Sequence, residues 1–250
     1  MPTEPAKVDW ERAKLCLAAL QQESPAFLRR ALLIGGAACW FYRHSLSRAN
    51  DPDFHVPLLA PELEARWLSK DLDFTGIFSG DAFALLPQLT VRDAQRREFL
   101  QVEGVRIGFA QVGLTLDPEE AMQHCRVVRF NGTQGQPVEC FIADPVTLYR
   151  EKLALVERRN APADPLHLAV LAEYVRMEVC QRAEELCAAA TLTATKAVLN
   201  FLKFVASRAP ELPKDERVVC RVRASLQNHA GSASPADVKF LRELVGDGSK

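Results

Sequence analysis

The apolar residues of this chain change period near residue 145, and that change limits the fold more than any other feature. Before it, apolar residues come in short runs bounded by turn residues: LLIGG at 32–36, DLDFTGIF at 71–78 and RVVRFNGTQGQPVECFI at 126–142. Such runs read as strands, and the last reads as a hairpin around Asn131-Gly132 and Gly135. After it, apolar residues recur at helical spacing through 146–158, 165–189 and 192–208. The pattern predicts an α/β (α+β) fold: a mixed sheet with flanking helices over residues 1–145, then a helical domain over 146–250.

Local signals fill in the first half. VDWERAKLCLAALQQ sets Val8, Ala13, Leu15, Leu17 and Leu20 on one helical face. SPAFLRRA offers Ser24 as a cap with Pro25 at the first helical position. LLIGG reads as a buried strand ending in a turn, with AACWFYRHSL a helix that starts straight after it. Residues 47–66 hold three prolines and mixed polarity, and read as a loop or insertion. Residues 81–100 read as helix, with two or three strands following. At the far end Ser234 caps, Pro235 follows and Asp237 stands in the first turn, so a last short helix is expected.

The formal net charge is -1 over 250 residues, so no global field draws the protein to nucleic acid, and a polyanion contact needs a local patch. No apolar run is long enough to span a bilayer, and MPTEPAKVDW lacks the apolar core of a signal peptide. The seven cysteines (16, 39, 125, 140, 180, 187 and 220) form no C-x-x-C pair. They read as reduced, buried, small hydrophobes in a cytoplasmic protein without a zinc site or membrane association. His44, His55 and His124 lack metal-ligand spacing, and Trp40-Phe41-Tyr42 reads as core rather than as a base-stacking platform.

The chemistry gathers at SKDLDFTG, residues 69–76. In a strand, alternate residues face the same way, so Asp71 and Asp73 project from one face while Leu72 turns into the core. Two carboxylates that close repel each other, and a hard divalent cation between them relieves the repulsion. Mg²⁺ accepts a few carboxylates and takes its other ligands from water and phosphates. The Gly35-Gly36 turn supplies the complement. Its backbone N–H groups are unshielded by side chains, and a helix start adds partial positive charge, which suits phosphate.

The order of these motifs resembles the nucleotidyltransferases of the DNA polymerase beta superfamily, and especially the AbiEii-like branch known from toxin–antitoxin systems. That family carries a strand, a G-G or G-S turn, a helix, a D-x-D strand, a third acidic residue on a later strand, and KL.AL..R....D in the first helix of its helical half. Here these are Gly35-Gly36, Asp71-Leu72-Asp73, Glu139 in PVECFI, and EKLALVERRNAPAD with Lys152, Leu153, Ala154, Leu155, Arg158 or Arg159, and Asp164. The resemblance covers roughly residues 30–180. The spacing from Gly36 to Asp71 is longer than usual, Lys70 replaces a different polar residue although Ser69 remains, and His167 stands where relatives often have a second Asp.

The resemblance implies a nucleotidyltransferase-like α/β domain followed by a helical domain, and Mg²⁺-dependent transfer of a nucleotidyl group from a nucleoside triphosphate. Asp71, Asp73 and Glu139 would be the catalytic metal ligands, with Asp144 in IADP a rival for the third place. Gly35, Gly36, Ser69 and Lys152 would bind the nucleotide. The acceptor would be RNA, a protein or a small molecule, and a toxin–antitoxin system implies a partner protein. Two other readings stand beside this one: a non-catalytic nucleotide-binding or interaction module that keeps the fold, and a two-carboxylate phosphohydrolase.

Overall fold

The computed structural model describes residues 8–48, 70–77, 79–93, 95–110, 116–132, 135–159, 161–189, 191–210, 212, 216–228 and 234–245. Most of the 47–66 insertion, together with Ser69, lies outside them.

Helices α1 (Trp10–Glu23) and α2 (Pro25–Arg30) lead into strand β1 (Leu32–Ile34) and helix α3 (Gly35–Arg48). Next come β2 (Asp71–Thr75), α4 (Ser79–Leu85), a 3-10 turn (Pro87–Leu89), β3 (Thr90–Arg92), β4 (Glu98–Val102) and β5 (Val105–Phe109). Helix α5 (Pro118–Gln123), β6 (Arg126–Asn131) and β7 (Pro137–Ile142) complete the strand-bearing part. From there the described chain is helical: α6 (Pro145–Arg158), α7 (Asp164–Ala189), α8 (Leu192–Arg208), α9 (Glu216–Asn228) and α10 (Pro235–Val245). None of the described helices is long and apolar enough to cross a membrane.

The seven strands form one mixed sheet in the order β3-β4-β5-β2-β1-β7-β6. β2 runs antiparallel to β1 and parallel to β5, and β1 runs parallel to β7. One face carries Leu33, Leu72, Phe74, Leu100, Ile107 and Ile142, all buried. Phe27 of α2 packs there, edge-on to Phe74 with ring centroids 5.2 Å apart. This apolar layer anchors β2, so the alternate residues of β2 must point the other way. The chain divides into two compact units, residues 1–171 and 172–250. The change from strand to helix falls earlier, between Ile142 and Pro145, so α6 and the start of α7 belong with the sheet. The second unit has its own core, with Val175, Leu199, Leu202, Val219, Val222 and Leu241 buried.

Several local expectations need correction. The buried residues of α1 are Ala13, Cys16, Leu17, Ala18 and Leu20, and Leu15 is exposed. Residues 81–100 are not one helix. α4 stops at Leu85, Pro87 opens a 3-10 turn, and β3 pairs antiparallel with β4 through Val91 and Phe99. Ser24 precedes α2 in extended conformation but makes no side-chain cap bond, so Pro25 alone shapes that start. Cys16, Cys39 and Cys140 are buried, while Cys220 is exposed. By contrast Ser234 and Asp237 bond reciprocally, side chain to backbone N–H, as a capping pair.

Candidate functional site

Strand β2 enters the sheet at Asp71, and its burial alternates as the two-residue period requires: Leu72 and Phe74 buried, Asp71 and Asp73 partly open. Asp73 pairs with Ile34 on one side and Gly108 on the other, and Asp71 pairs with Arg106. Ile34 is the last residue before the Gly35-Gly36 turn, so β2 carries the carboxylate pair directly against the start of α3. Gly35 has φ +70°, a left-handed conformation that favours glycine.

Asp73 sits in a notch cut by two glycines. A methyl group built on Gly35 would lie 2.8 Å from Asp73 Oδ2, and one on Gly108 would lie 2.4 Å from Asp73 Oδ1. The carboxylate thus spans from β5 to the start of α3, through space that only glycine leaves open. Among the described residues it makes no hydrogen bond and no ion pair within 4 Å. Burial, and then the charge of Asp71, push its pKa up to about 6, against the pull of Lys152 and Arg159.

A second ionic group is centred on the buried Asp164. Lys152 on α6 is 5% exposed and donates to Asp164 Oδ1 at 2.9 Å. Arg159, which closes the C-terminus of α6, bonds both oxygens of Asp164, Nε to Oδ2 at 2.8 Å and Nη2 to Oδ1 at 3.1 Å. His167 Nδ1 stands 3.8 Å from the same carboxylate. Burial alone would raise the Asp164 carboxyl, but His167, Arg159 and Lys152 outweigh it and hold it well below the usual range. So the choice between Arg158 and Arg159 is resolved for the Asp164 pairing: Arg159 makes it. Lys152 is already engaged by a carboxylate, and its primary contact is structural.

Two candidates for a third carboxylate are not brought to the pair. Glu139 shares a sheet face with Asp73, but Leu32 pairs with Phe141 in the parallel β1/β7 ladder, so Glu139 is level with Arg30 while Asp73 is level with Ile34. At ~3.3 Å per residue and ~4.8 Å per strand, that is a separation of about 16 Å. Glu139 instead pairs with Arg129 across β6, Nε to Oε2 at 2.6 Å, with both side chains exposed. Asp144 is buried at the N-cap of α6, where its Oδ1 accepts from the N–H groups of Val146 and Thr147 and its Oδ2 from the Thr147 hydroxyl. Its oxygens are consumed by capping. Among the described residues no group of three or more His, Cys, Asp or Glu is placed to hold a metal ion.

An expected outcome follows for Glu139→Gln. An exposed ion pair contributes about 0–1 kcal/mol. Thermal unfolding should therefore shift by no more than about 3 °C. A larger shift would mean that the Arg129–Glu139 pair holds more of the fold than an exposed pair does.

Gly108 is the residue that motif reading passes over. The signal was present, since a lone glycine inside the strand VRIGF marks a close approach of backbone or ligand. A cavity of about 630 Å³ lies elsewhere in the same unit, bounded by Gly76, Ile77, Asp117, Pro118, Glu119 and Met122, beyond the far end of β2 from Asp71. Its volume suits a ligand, but neither Asp71, Asp73 nor Lys152 lines it.

Comparison with known proteins returned no match: no family model, no curated protein and no solved structure resembles the chain closely enough to count.

Proposed function

We propose that this chain is a nucleotidyltransferase of the DNA polymerase beta superfamily, AbiEii-like branch, that uses a nucleoside triphosphate and Mg²⁺. One observation carries the reading: a half-buried carboxylate, beside a second one, is held in a two-glycine notch at the start of a fourteen-residue helix, without a hydrogen bond or ion pair to another described residue. Two half-buried carboxylates on one strand face repel each other, and a cation that joins them relieves the repulsion. The start of α3 adds partial positive charge beside the pair, which favours phosphate once a cation is bound.

The charges are consistent with this. Asp71, Asp73 and Asp164 carry three negative charges, and Lys152 and Arg159 two positive, which leaves the cluster one negative before any ligand. A divalent cation reverses that sign and makes the site receptive to a triphosphate. Two carboxylates suffice for Mg²⁺, whose remaining ligands are waters and substrate oxygens. When bound, the ion would neutralise charge that develops on the triphosphate during transfer. Asp71 and Asp73 would hold it, the Gly35-Gly36 backbone would bind phosphate, and Arg159, half exposed and fixed by Asp164, would present its free N–H groups toward the nucleotide. The acceptor is RNA, a protein or a small molecule.

A second reading has its own support. The sheet positions beside the pair are Ile34, Gly108 and Arg106, none of them a carboxylate. Without a third acidic group to take a proton from the attacking hydroxyl, the chain would serve as a nucleotide-binding or interaction module on the same fold. One experiment separates the two. Each labelled nucleoside triphosphate is incubated with the protein and Mg²⁺ in cell extract, while calorimetry follows binding with and without Mg²⁺. Mg²⁺-dependent binding with label transferred supports the enzyme. Mg²⁺-dependent binding without transfer supports the module. Binding indifferent to Mg²⁺ ends the metal reading of Asp71 and Asp73.

A further inference from the structure

We infer that Gly108 is a positioning residue for the carboxylate pair: its missing side chain lets the Asp73 carboxylate lie across the β2–β5 boundary and face the Gly35-Gly36 turn. The inference rests on the two-carboxylate reading for its function, but its geometric part stands separately. Asp73 and Gly108 are direct partners in a parallel ladder, so their side-chain directions share one face. The closest atom to a Gly108 methyl is Asp73 Oδ1 at 2.4 Å, while the next, Asp73 Cγ and the Leu72 carbonyl, are at 3.5 and 3.9 Å, ordinary contact. One oxygen of one side chain is therefore all that fills the space.

The other glycine of the notch is different. Gly35 has φ +70°, so a substitution there strains the backbone as well as displacing Asp73. Gly108 has no left-handed backbone, and alanine is compatible with its strand. β5 is hydrogen-bonded on both sides, to β2 and β4, a place where glycine weakens a strand by leaving nothing to pack. Glycine at 108 is thus unfavourable for the strand and useful only for what it admits. What it admits is the Asp73 carboxylate, aimed at the helix start instead of at solvent.

The test is Gly108→Ala, with Gly80→Ala, which has nothing within 4 Å of its methyl, as the control. Three quantities are read on the full chain: melting temperature, Mn²⁺ affinity by electron paramagnetic resonance with and without ATP, and the Asp73 side chain in crystal structures of wild type and variant. The methyl needs about 3.4 Å, so Asp73 Oδ1 should move by about 1 Å or change rotamer. Mn²⁺ affinity should fall about 10–100-fold, the range for groups that orient a metal ligand. Melting temperature should stay or rise slightly, and Gly80→Ala should bind Mn²⁺ like wild type. If Gly108→Ala loses its fold, or if Asp73 keeps its place, or if Mn²⁺ binds equally well, the inference is overturned. If wild type itself binds no Mn²⁺ with ATP, the two-carboxylate reading fails, while the position of Asp73 still decides whether Gly108 sets it.

Discussion

Asp73→Asn is expected to lower Mg²⁺-dependent nucleotidyl transfer on the order of a thousandfold while leaving the protein at least as stable as before. A bound divalent ion supplies several kcal/mol to the developing charge on a triphosphate. At about 1.4 kcal/mol per tenfold, losing it removes about three decades of rate. Asparagine keeps the shape that fits between Gly35 and Gly108 but not the charge. Stability responds in the opposite direction. Burial and Asp71 raise the Asp73 pKa to about 6 in the folded chain, above its ordinary value of 3.8. Between those values the folded state holds a proton that the unfolded state has released. Its stabilising contribution is complete below about pH 4 and is lost as pH rises through about 6. The gap corresponds to about 3 kcal/mol at most, before allowance for the partial exposure of the group. The wild-type unfolding midpoint in urea should therefore fall between pH 4 and pH 6.5 in metal-free buffer. Asp73→Asn should remove that fall and be the more stable protein at pH 7. Nucleotide and Mg²⁺ affinity of the wild type should change over the same interval with the reverse sign, rising as Asp73 ionises. A variant that transfers at the wild-type rate, or a wild-type protein whose stability is flat across that interval, would contradict the assigned role.

The carboxylate pair was legible because its geometry is local. Three consecutive residues, Asp71-Leu72-Asp73, suffice to put two carboxylates on one face once a strand is granted, and a glycine pair after an apolar run marks a turn whatever lies around it. That the two motifs meet is a matter of tertiary pairing, and the order of motifs anticipated it across more than thirty intervening residues. Glu139 shows the limit. Its strand and its face were readable, but its distance from Asp73 depends on the register of β7 against β1, which no local pattern specifies. The failure at 81–100 has another cause. Pro87 and the alternation of Phe99 to Val102 compete with a weak helical spacing, and pairing with β5 decides for strand. The Gly108 notch is tertiary in the same sense: a single glycine in VRIGF acquires meaning only when Asp73 is set beside it.

Lys152→Met is expected to lower the melting temperature by about 6–12 °C, because the cluster around Asp164 belongs to the folded core of the sheet-bearing unit. Lys152 and Asp164 are 5% and 1% exposed. Removing one partner of a buried ion pair leaves an uncompensated charge, at about 3–5 kcal/mol. For a chain of this length 1 kcal/mol moves the midpoint by about 2–4 °C. The penalty here belongs toward the lower end, since Arg159 still bonds both Asp164 oxygens. Arg159→Ala should cost less again, because its side chain is 51% exposed and water replaces it easily. The pairing also has a pH signature opposite to that of Asp73. With its pKa held well below the usual range, Asp164 contributes stability that is present above its ordinary value and survives until the folded carboxyl is finally protonated, in strong acid. Replacing both charges, as Lys152→Met with Asp164→Leu, should recover much of the stability lost in the single variant, since neither buried group is then left alone. If Lys152→Met melts within about 2 °C of the wild type and instead raises the nucleotide concentration needed for binding, Lys152 faces the phosphates and Asp164 merely orients it. If both stability and affinity fall, the double variant separates them, because a refolded core without Lys152 still lacks the cation.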